Sequence, residues 1–268
     1  MSEPLLRWAG SKRKLLPILT QAIPSSFKRY VEPFVGSGVL FLKIPQKRAL
    51  LGDINIDLIS TYETVRDHPR AVWNRASAFD EDPNFYYTLR AIDAENLQPL
   101  DRAARFVYLN RFCFNGVYRT NRAGKFNVSR GKGHLFIPQY RVFKAFSDRL
   151  KTAQLVCSDF QNLVTKTRNG DFMYLDPPYA MGAKRDRGEY GPGSFRDHDE
   201  ERLASTLIDA SDRGVKVLLS YSPSKDLLHR LKNWRVHYLM VNRNVAGFAS
   251  SRRTAQEMLV ANYDWQLS

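Results

Sequence analysis

Residues 173–179 read Met-Tyr-Leu-Asp-Pro-Pro-Tyr, an apolar run that passes directly into Asp176-Pro177-Pro178-Tyr179. The tetrapeptide is rich in acceptors and poor in protons. Ionised, Asp176 offers only acceptor oxygens, and Pro177 has a carbonyl but no backbone N–H to compete with it. A residue that precedes a proline is held extended, which restricts Asp176 and Pro177 together. Tyr179 adds an aromatic face. Such a set can hold a planar amine between two acceptors, stack a ring beside it and steer the nitrogen lone pair. From average residue usage the tetrapeptide arises by chance in on the order of one chain in a thousand of this length. The plain alternative is a Pro-Pro turn at a strand end.

A second constellation lies near the N-terminus. Tyr30-Val31-Glu32-Pro33-Phe34-Val35-Gly36-Ser37-Gly38 reads as a strand entering a glycine-rich turn, and Val39-Leu40-Phe41-Leu42 as the start of a helix. Glycines there let backbone approach a ligand closely. Ala49-Leu50-Leu51-Gly52-Asp53 is a second strand ending in an acid, at the offset that suits ribose hydroxyls of an adenosine. A third strand, Leu155-Val156-Cys157, leads to Asp159-Phe160, an acid for an adenine amine with a ring beside it. A tight turn at Gly36 and a helix N-cap at Ser158 or Asp159 are the structural alternatives. The third glycine of a dinucleotide fingerprint and a phosphate-loop lysine are both missing. NAD and ATP are therefore disfavoured, and an adenosine without a phosphate tail, such as S-adenosylmethionine, fits better.

These groups need a scaffold that brings strand ends together. Strand and helix patterns alternate over 1–56 and again over 150–234, whereas 57–145 read mostly as helices (58–67, 71–79, 85–93) followed by a basic loop. Phe106, Leu109 and Cys113 recur at helical spacing, and Phe114-Asn115-Gly116 breaks that helix. Residues 216–220 form another strand, and 236–241 with 258–261 an antiparallel pair at the sheet edge, joined by a loop carrying Arg243, Arg252 and Arg253. The glycine-rich segment 182–193 follows the tetrapeptide. The organisation expected is a parallel α/β domain, 1–56 with 146–268, interrupted by a mainly helical insert at 57–145. In open α/β sheets ligands bind outside the carboxyl ends of strands, so Gly36, Asp53, Asp159 and Asp176 should share one crevice.

The charge balance points to the partner. The 268 residues carry 41 Lys and Arg against 27 Asp and Glu, a formal charge of +14. Residues 102–147 hold no acid but ten cations: Arg102, Arg105, Arg111, Arg119, Arg122, Lys125, Arg130, Lys132, Arg141 and Lys144. Phe112, Phe114, Tyr118, Phe126, Phe136 and Tyr140 are interleaved with them. Cations for phosphates beside rings for stacking or wedging make a nucleic-acid surface. Asn115 and Arg119 fall where base edges could be read, adenine by the amide and guanine by the guanidinium. No stretch is apolar enough to span a bilayer, and the opening residues lack a secretion signal. Two cysteines cannot make a disulfide framework; Cys157 is expected in the core. The five histidines form no ligand motif, and a metal-free, cytoplasmic monomer is expected.

Taken together these motifs resemble the Dam-type DNA adenine methyltransferases over nearly the whole chain. Arg7-Trp8-Ala9-Gly10-Ser11-Lys12 is similar to that family's N-terminal element, 31–38 to its glycine loop, 111–128 to its target-recognition hairpin and Asp176-Pro177-Pro178-Tyr179 to its catalytic motif, in the family's order. The resemblance implies a Rossmann-like S-adenosylmethionine-dependent methyltransferase sheet that methylates the exocyclic amine of adenine in a duplex site, GATC among them. It implies either an orphan methylase or one arm of a restriction-modification system, nucleoid-associated and bacterial, archaeal or phage-encoded. Trp8, Ala9, Gly10, Lys12, Pro33, Phe34, Gly36, Ser37, Gly38, Asp53, Asp159, Phe160 and Asp176 are then the cofactor-binding set. Arg7, Phe114, Asn115, Val117, Arg119, Asn121, Arg130 and Lys132 are the DNA-binding set. Ser11 replaces a family glycine, Phe114 stands where tyrosine is common, and 129–135 follow the family's length loosely. Two other readings stay in play, an RNA amino-methyltransferase and a non-catalytic DNA-binding module.

Overall fold

The computed structural model describes residues 3–45, 48–121, 123–178, 195, 197–244 and 252–265. A seven-stranded sheet organises them: β1 (Arg29–Glu32), β2 (Ala49–Asp53), β3 (Ala153–Cys157), β4 (Asp171–Leu175), β5 (Lys216–Tyr221), β6 (Arg235–Asn244) and β7 (Arg252–Ala261). The spatial order is β3-β2-β1-β4-β5-β7-β6. The first five strands are parallel; β7 inserts antiparallel between β5 and β6. The chain reverses its direction of travel across the sheet between β1 and β4, and that switch point opens a crevice at the carboxyl ends of the strands.

The central strands are apolar on both faces because helices cover both. Alternate residues divide between two cores. Tyr30, Leu51, Phe172, Tyr174 and Leu218 face one, shared with α2 (Ile56–Asp67), α5 (Pro99–Phe112) and α6 (Tyr140–Leu150). Val31, Leu50, Met173, Leu175 and Leu219 face the other, shared with α7 (Phe160–Val164) and α8 (Asp197–Asp212). Each such buried side chain contributes roughly 1.5–3 kcal/mol, and the strict two-residue alternation fixes the strand register.

The helices between β2 and β3 start where the sequence supplies caps. Asn55 accepts from the Leu58 N–H to open α2. Asp82 accepts from Asn84 and Phe85 to open α4 (Pro83–Ala91). Pro69, Pro83 and Pro99 stand at first-turn positions of α3 (Pro69–Ser77), α4 and α5, where a missing N–H is harmless. A third core, with Tyr86, Leu89, Tyr108, Leu109, Phe112, Cys113 and Val128, seats the segment that follows α5.

Three expectations are corrected. The helix expected from Val39 is a single 3₁₀ turn, Phe41–Lys43, because Pro45 forces Ile44 into extended backbone. Cys157 is exposed rather than in the core: it shares a face with the buried Leu155 but is the last residue of β3, an edge strand of the sheet. The β6–β7 pair is longer than 236–241 and 258–261, so Arg243, Arg252 and Arg253 belong to the strands and not to a connecting loop.

A candidate active site at the carboxyl edge of the sheet

The glycine turn after β1 forms one wall. Gly36 and Gly38 both have positive φ, 44° and 63°, which glycine adopts without a Cβ penalty. A Cβ on Gly36 would stand 2.8 Å from the Trp8 ring, so the indole lies directly on the turn. Trp8 also stacks with Tyr118, centroids 6.1 Å apart at 14°. The turn is tied to the end of β2: Gly36 N–H donates to Asp53 Oδ2 at 3.1 Å, Asn55 N–H to Asp53 Oδ1 at 3.0 Å, and the buried Tyr62 hydroxyl to the Gly36 carbonyl at 2.5 Å. Burial raises the Asp53 carboxyl to about 6, against the pull of those backbone donors.

Asp176 follows β4 and lines the same cavity, and its surroundings are more crowded than the sequence suggests. Lys12 Nζ sits 2.8 Å from its Oδ1, and Ser220 Oγ donates to the same oxygen at 3.0 Å. Tyr174 and Ser220 share a further hydroxyl–hydroxyl bond of 3.0 Å. Burial raises the Asp176 carboxyl above its ordinary range; Lys12 and Ser220 oppose that rise, and Glu257 adds to it. Glu32, buried at the end of β1, accepts from the Tyr30 hydroxyl at 2.9 Å, and burial pushes its carboxyl well up, with Asp176 adding. Pro177 and Pro178 continue along the wall. Tyr179 lies outside the described residues.

The far end of the crevice is aromatic. Phe160 stacks on Phe34, centroids 5.3 Å apart at 29°, and the Arg202 guanidinium lies 4.6 Å from the Phe160 centroid. Asp159 is the N-cap of α7, accepting from Gln161 N–H at 2.9 Å, and its other oxygen meets Arg202 at 3.0 Å. Arg202 also reaches Asp199 at 2.8 Å. The structural alternative for Asp159 is therefore realised, and the carboxylate still borders the cavity.

One cavity runs along all these groups. Trp8, Ala9, Gly10, Lys12, Pro33, Phe34, Gly36, Ser37, Asp53, Asp159, Phe160, Asp176, Pro177 and Pro178 line it. Gly38 sits behind the lining, where its N–H donates to Val35 to close the turn. Phe195, Asp199 and Arg202 also line it and belong to no motif in the sequence, and Glu32, Tyr118 and Tyr174, which lie within the motifs without a cofactor assignment, line it too. Asp199 and Arg202 are one helical turn apart, a spacing visible in the sequence but common on any helix surface.

Comparison with known proteins agrees with this architecture. The pattern of the D12 class N6 adenine-specific DNA methyltransferases matches residues 8–245. The chain belongs to that family. It is 30% identical to a Type II methyltransferase of Lactococcus lactis subsp. cremoris over 97% of this chain and 95% of the relative. It is 31% identical to a Type II methyltransferase of Methanocaldococcus jannaschii over 97% and 99%. It is 30% identical to the DNA adenine methylase of Escherichia coli over 95% and 93%. The activity is thus methylation of adenine N6 in DNA, and the relatives span bacteria and archaea.

In this methyltransferase the basic stretch at the end of α5 is tied to the N-terminal segment that lines the crevice. Asn110 of α5 brackets the Arg7 backbone, accepting from its N–H at 2.8 Å and donating to its carbonyl at 2.7 Å. Gly116, φ 66°, packs so closely that a Cβ would stand 2.4 Å from Arg7 Cβ. Beyond it the chain doubles back, with Asn127 N–H donating to Arg119 O, Asn121 N–H to Lys125 O and Gly131 N–H to Phe112 O. Phe114 and Asn115 are exposed at the start of this hairpin, and Asn115 holds a left-handed φ of 53°. Asn121 and Lys132 are exposed, whereas Val117, Arg119 and Arg130 are half-buried. Arg119 Nε donates to Asn127 Oδ1 at 2.9 Å, and Arg130 to the Glu81 carbonyl at 3.0 Å.

Several cations in the acid-free stretch serve the fold instead. Arg102 pairs with Asp57 at 2.6 Å, Lys144 with Asp148, and the buried Arg105 donates to the carbonyls of Leu89 and Arg90 at the end of α4. Phe112 is likewise core, stacked on Tyr108. Among the described residues no cluster of three or more His, Cys, Asp or Glu could hold a metal ion, and no helix is long and apolar enough to cross a membrane.

Proposed function

We propose that the methyl donor is S-adenosylmethionine, bound along the crevice from Asp176 to Phe160, and that the acceptor is an adenine within a specific duplex site, with GATC the first sequence to test. The donor set fits that group. Gly36 leaves a surface without a Cβ against Trp8, Asp53 offers acceptors for ribose hydroxyls, and Phe34, Phe160 and Asp159 offer ring contact and an amine acceptor for adenine. The observation that carries the reading is the placement of Asp176 and Pro177 on the same cavity wall as Gly36 and Asp53.

The bound cofactor would supply an electrophilic methyl group on sulfur. The chain's own residues supply position. The target adenine leaves the duplex at a cost of a few kcal/mol, offset by new contacts. Its amine donates one hydrogen bond to Asp176 and one to the Pro177 carbonyl, while Tyr179, adjacent in sequence, is assigned as the stacking wall. Two acceptors draw the amine toward tetrahedral geometry and aim its lone pair, so that alignment provides most of the acceleration. Asp176 need not be a strong base, because the nitrogen loses its proton readily once it carries the methyl.

Residues 1–56 and 146–268 are assigned to catalysis and 57–145 to recognition. Arg7, Phe114, Asn115, Val117, Arg119, Asn121, Arg130 and Lys132 are assigned to DNA, with Arg119 reading guanine. A monomer acting on DNA in the cytoplasm suits this division. The test is methylation of an unmodified genomic DNA followed by single-molecule sequencing. Modified adenines confined to one short motif support the reading. Modification scattered without sequence preference would contradict it.

A further inference from the structure

The aromatic end of the crevice carries a cation that methyl transfer does not use. Arg202 projects from α8 and lines the cavity together with Asp159 and Phe160. Its guanidinium carbon lies 4.6 Å from the Phe160 centroid. Nη2 alone makes both ion pairs, 3.0 Å to Asp159 Oδ2 and 2.8 Å to Asp199 Oδ1. Asp199, one turn earlier on α8, is itself buried, so the guanidinium is anchored from within the fold.

A guanidinium is a rigid fork of N–H donors. Nη2 is engaged twice, and Nε is enclosed without a hydrogen-bond partner. Nη1 makes no hydrogen bond among the described residues. The side chain nonetheless keeps 36% of its surface open. Tying α8 to α7 through Asp159 uses one arm of the fork and leaves the other without work.

Asp159 and Arg202 thus set an acceptor and a spare donor side by side, next to the stacked rings of Phe34 and Phe160. Adenine presents the complementary pair. Its exocyclic amine donates, and the ring nitrogens to either side of that amine, N1 and N7, accept. Stacking holds a flat ring without telling one base from another, whereas two opposed hydrogen-bonding groups do discriminate. We propose that Arg202 is a specificity-determining residue of the cofactor site, donating from Nη1 to a ring nitrogen beside the amine that Asp159 accepts, so that the two together read the base as adenine. This rests on the assignment of the adenine of S-adenosylmethionine to this end of the crevice.

The experiment is titration calorimetry of the full chain, wild type and Arg202→Met, with S-adenosylhomocysteine and its 6-deamino, 1-deaza and 7-deaza analogues. Wild type should bind the 6-deamino analogue about tenfold more weakly than S-adenosylhomocysteine, and one of the two deaza analogues more weakly by a similar factor. Arg202→Met should bind S-adenosylhomocysteine about tenfold more weakly and no longer prefer it to that deaza analogue, while keeping its preference for the amine. Ratios within one variant compare ligands on the same fold. A merely structural role for Arg202 would weaken every ligand alike and leave those ratios unmoved, which would overturn the proposal. So would a variant that still distinguishes the deaza analogue, or a wild type indifferent to both ring nitrogens, an arm that needs no variant to fold. If wild type is indifferent to the amine, or binds no S-adenosylhomocysteine, the assignment of the cofactor fails instead.

Discussion

Asp176, Asp53 and Glu32 are carboxyls whose burial raises their pKa in one crevice, yet their surroundings give them different work. Asp176 meets a cation and a hydroxyl; Asp53 meets only backbone N–H groups and retains lone pairs toward the cavity. Asp176→Ala should abolish turnover, by more than about a thousandfold, while leaving DNA affinity within a fewfold; quench-flow methylation and a filter-binding assay separate the two. Asp53, with a folded value of about 6, is protonated below that pH and then surrenders acceptor sites. Cofactor affinity measured by calorimetry should weaken as pH falls through 6, and Asp53→Asn should bind weakly at all pH with that dependence gone. For stability the sign is opposite: the folded value exceeds the roughly 3.9 of an unfolded chain, so the ionised carboxyl opposes folding above pH 6 and ceases to do so below about 4. At this scale the sequence discloses Asp176 and Asp53 because each ends an apolar strand. It conceals Glu257 and Ser220, whose partners lie across the sheet and appear only once β5 and β7 are placed.

Among the elements, the glycine turn and the hairpin after α5 converge on Trp8 and Arg7. Gly36→Ala would put a methyl against the indole in left-handed backbone, so cofactor affinity should drop at least about tenfold, read by calorimetry, with a smaller loss of melting temperature. Gly116→Ala would push Arg7 away and should raise KM for DNA more than KM for the donor. The order of strands and helices was legible because apolar period and capping residues agree along most of the chain. The helix expected after Gly38 was not, since a proline six residues beyond Val39 overrides four good apolar positions. The basic run was legible as a surface only in part. Arg102, Arg105 and Lys144 find partners outside the acid-free stretch or on backbone carbonyls, which charge counting within the stretch cannot reveal.

For the molecule as a whole, the +14 charge makes DNA affinity strongly salt-dependent. With about five phosphates contacted, log affinity should fall with log salt at a slope of about −4.5, measured by fluorescence anisotropy, and Lys132→Gln should flatten that slope by about one. On the proposed function, the Asp176 crevice moves a methyl from S-adenosylmethionine to adenine N6. That transfer is tested most directly by incubating duplex DNA with trideuteromethyl-labelled donor and analysing the digested nucleosides by mass spectrometry. Wild-type protein should yield trideuteromethyl N6-deoxyadenosine as the labelled nucleoside, and Asp176→Ala none. Label on another base, or undiminished label from Asp176→Ala, would contradict the account.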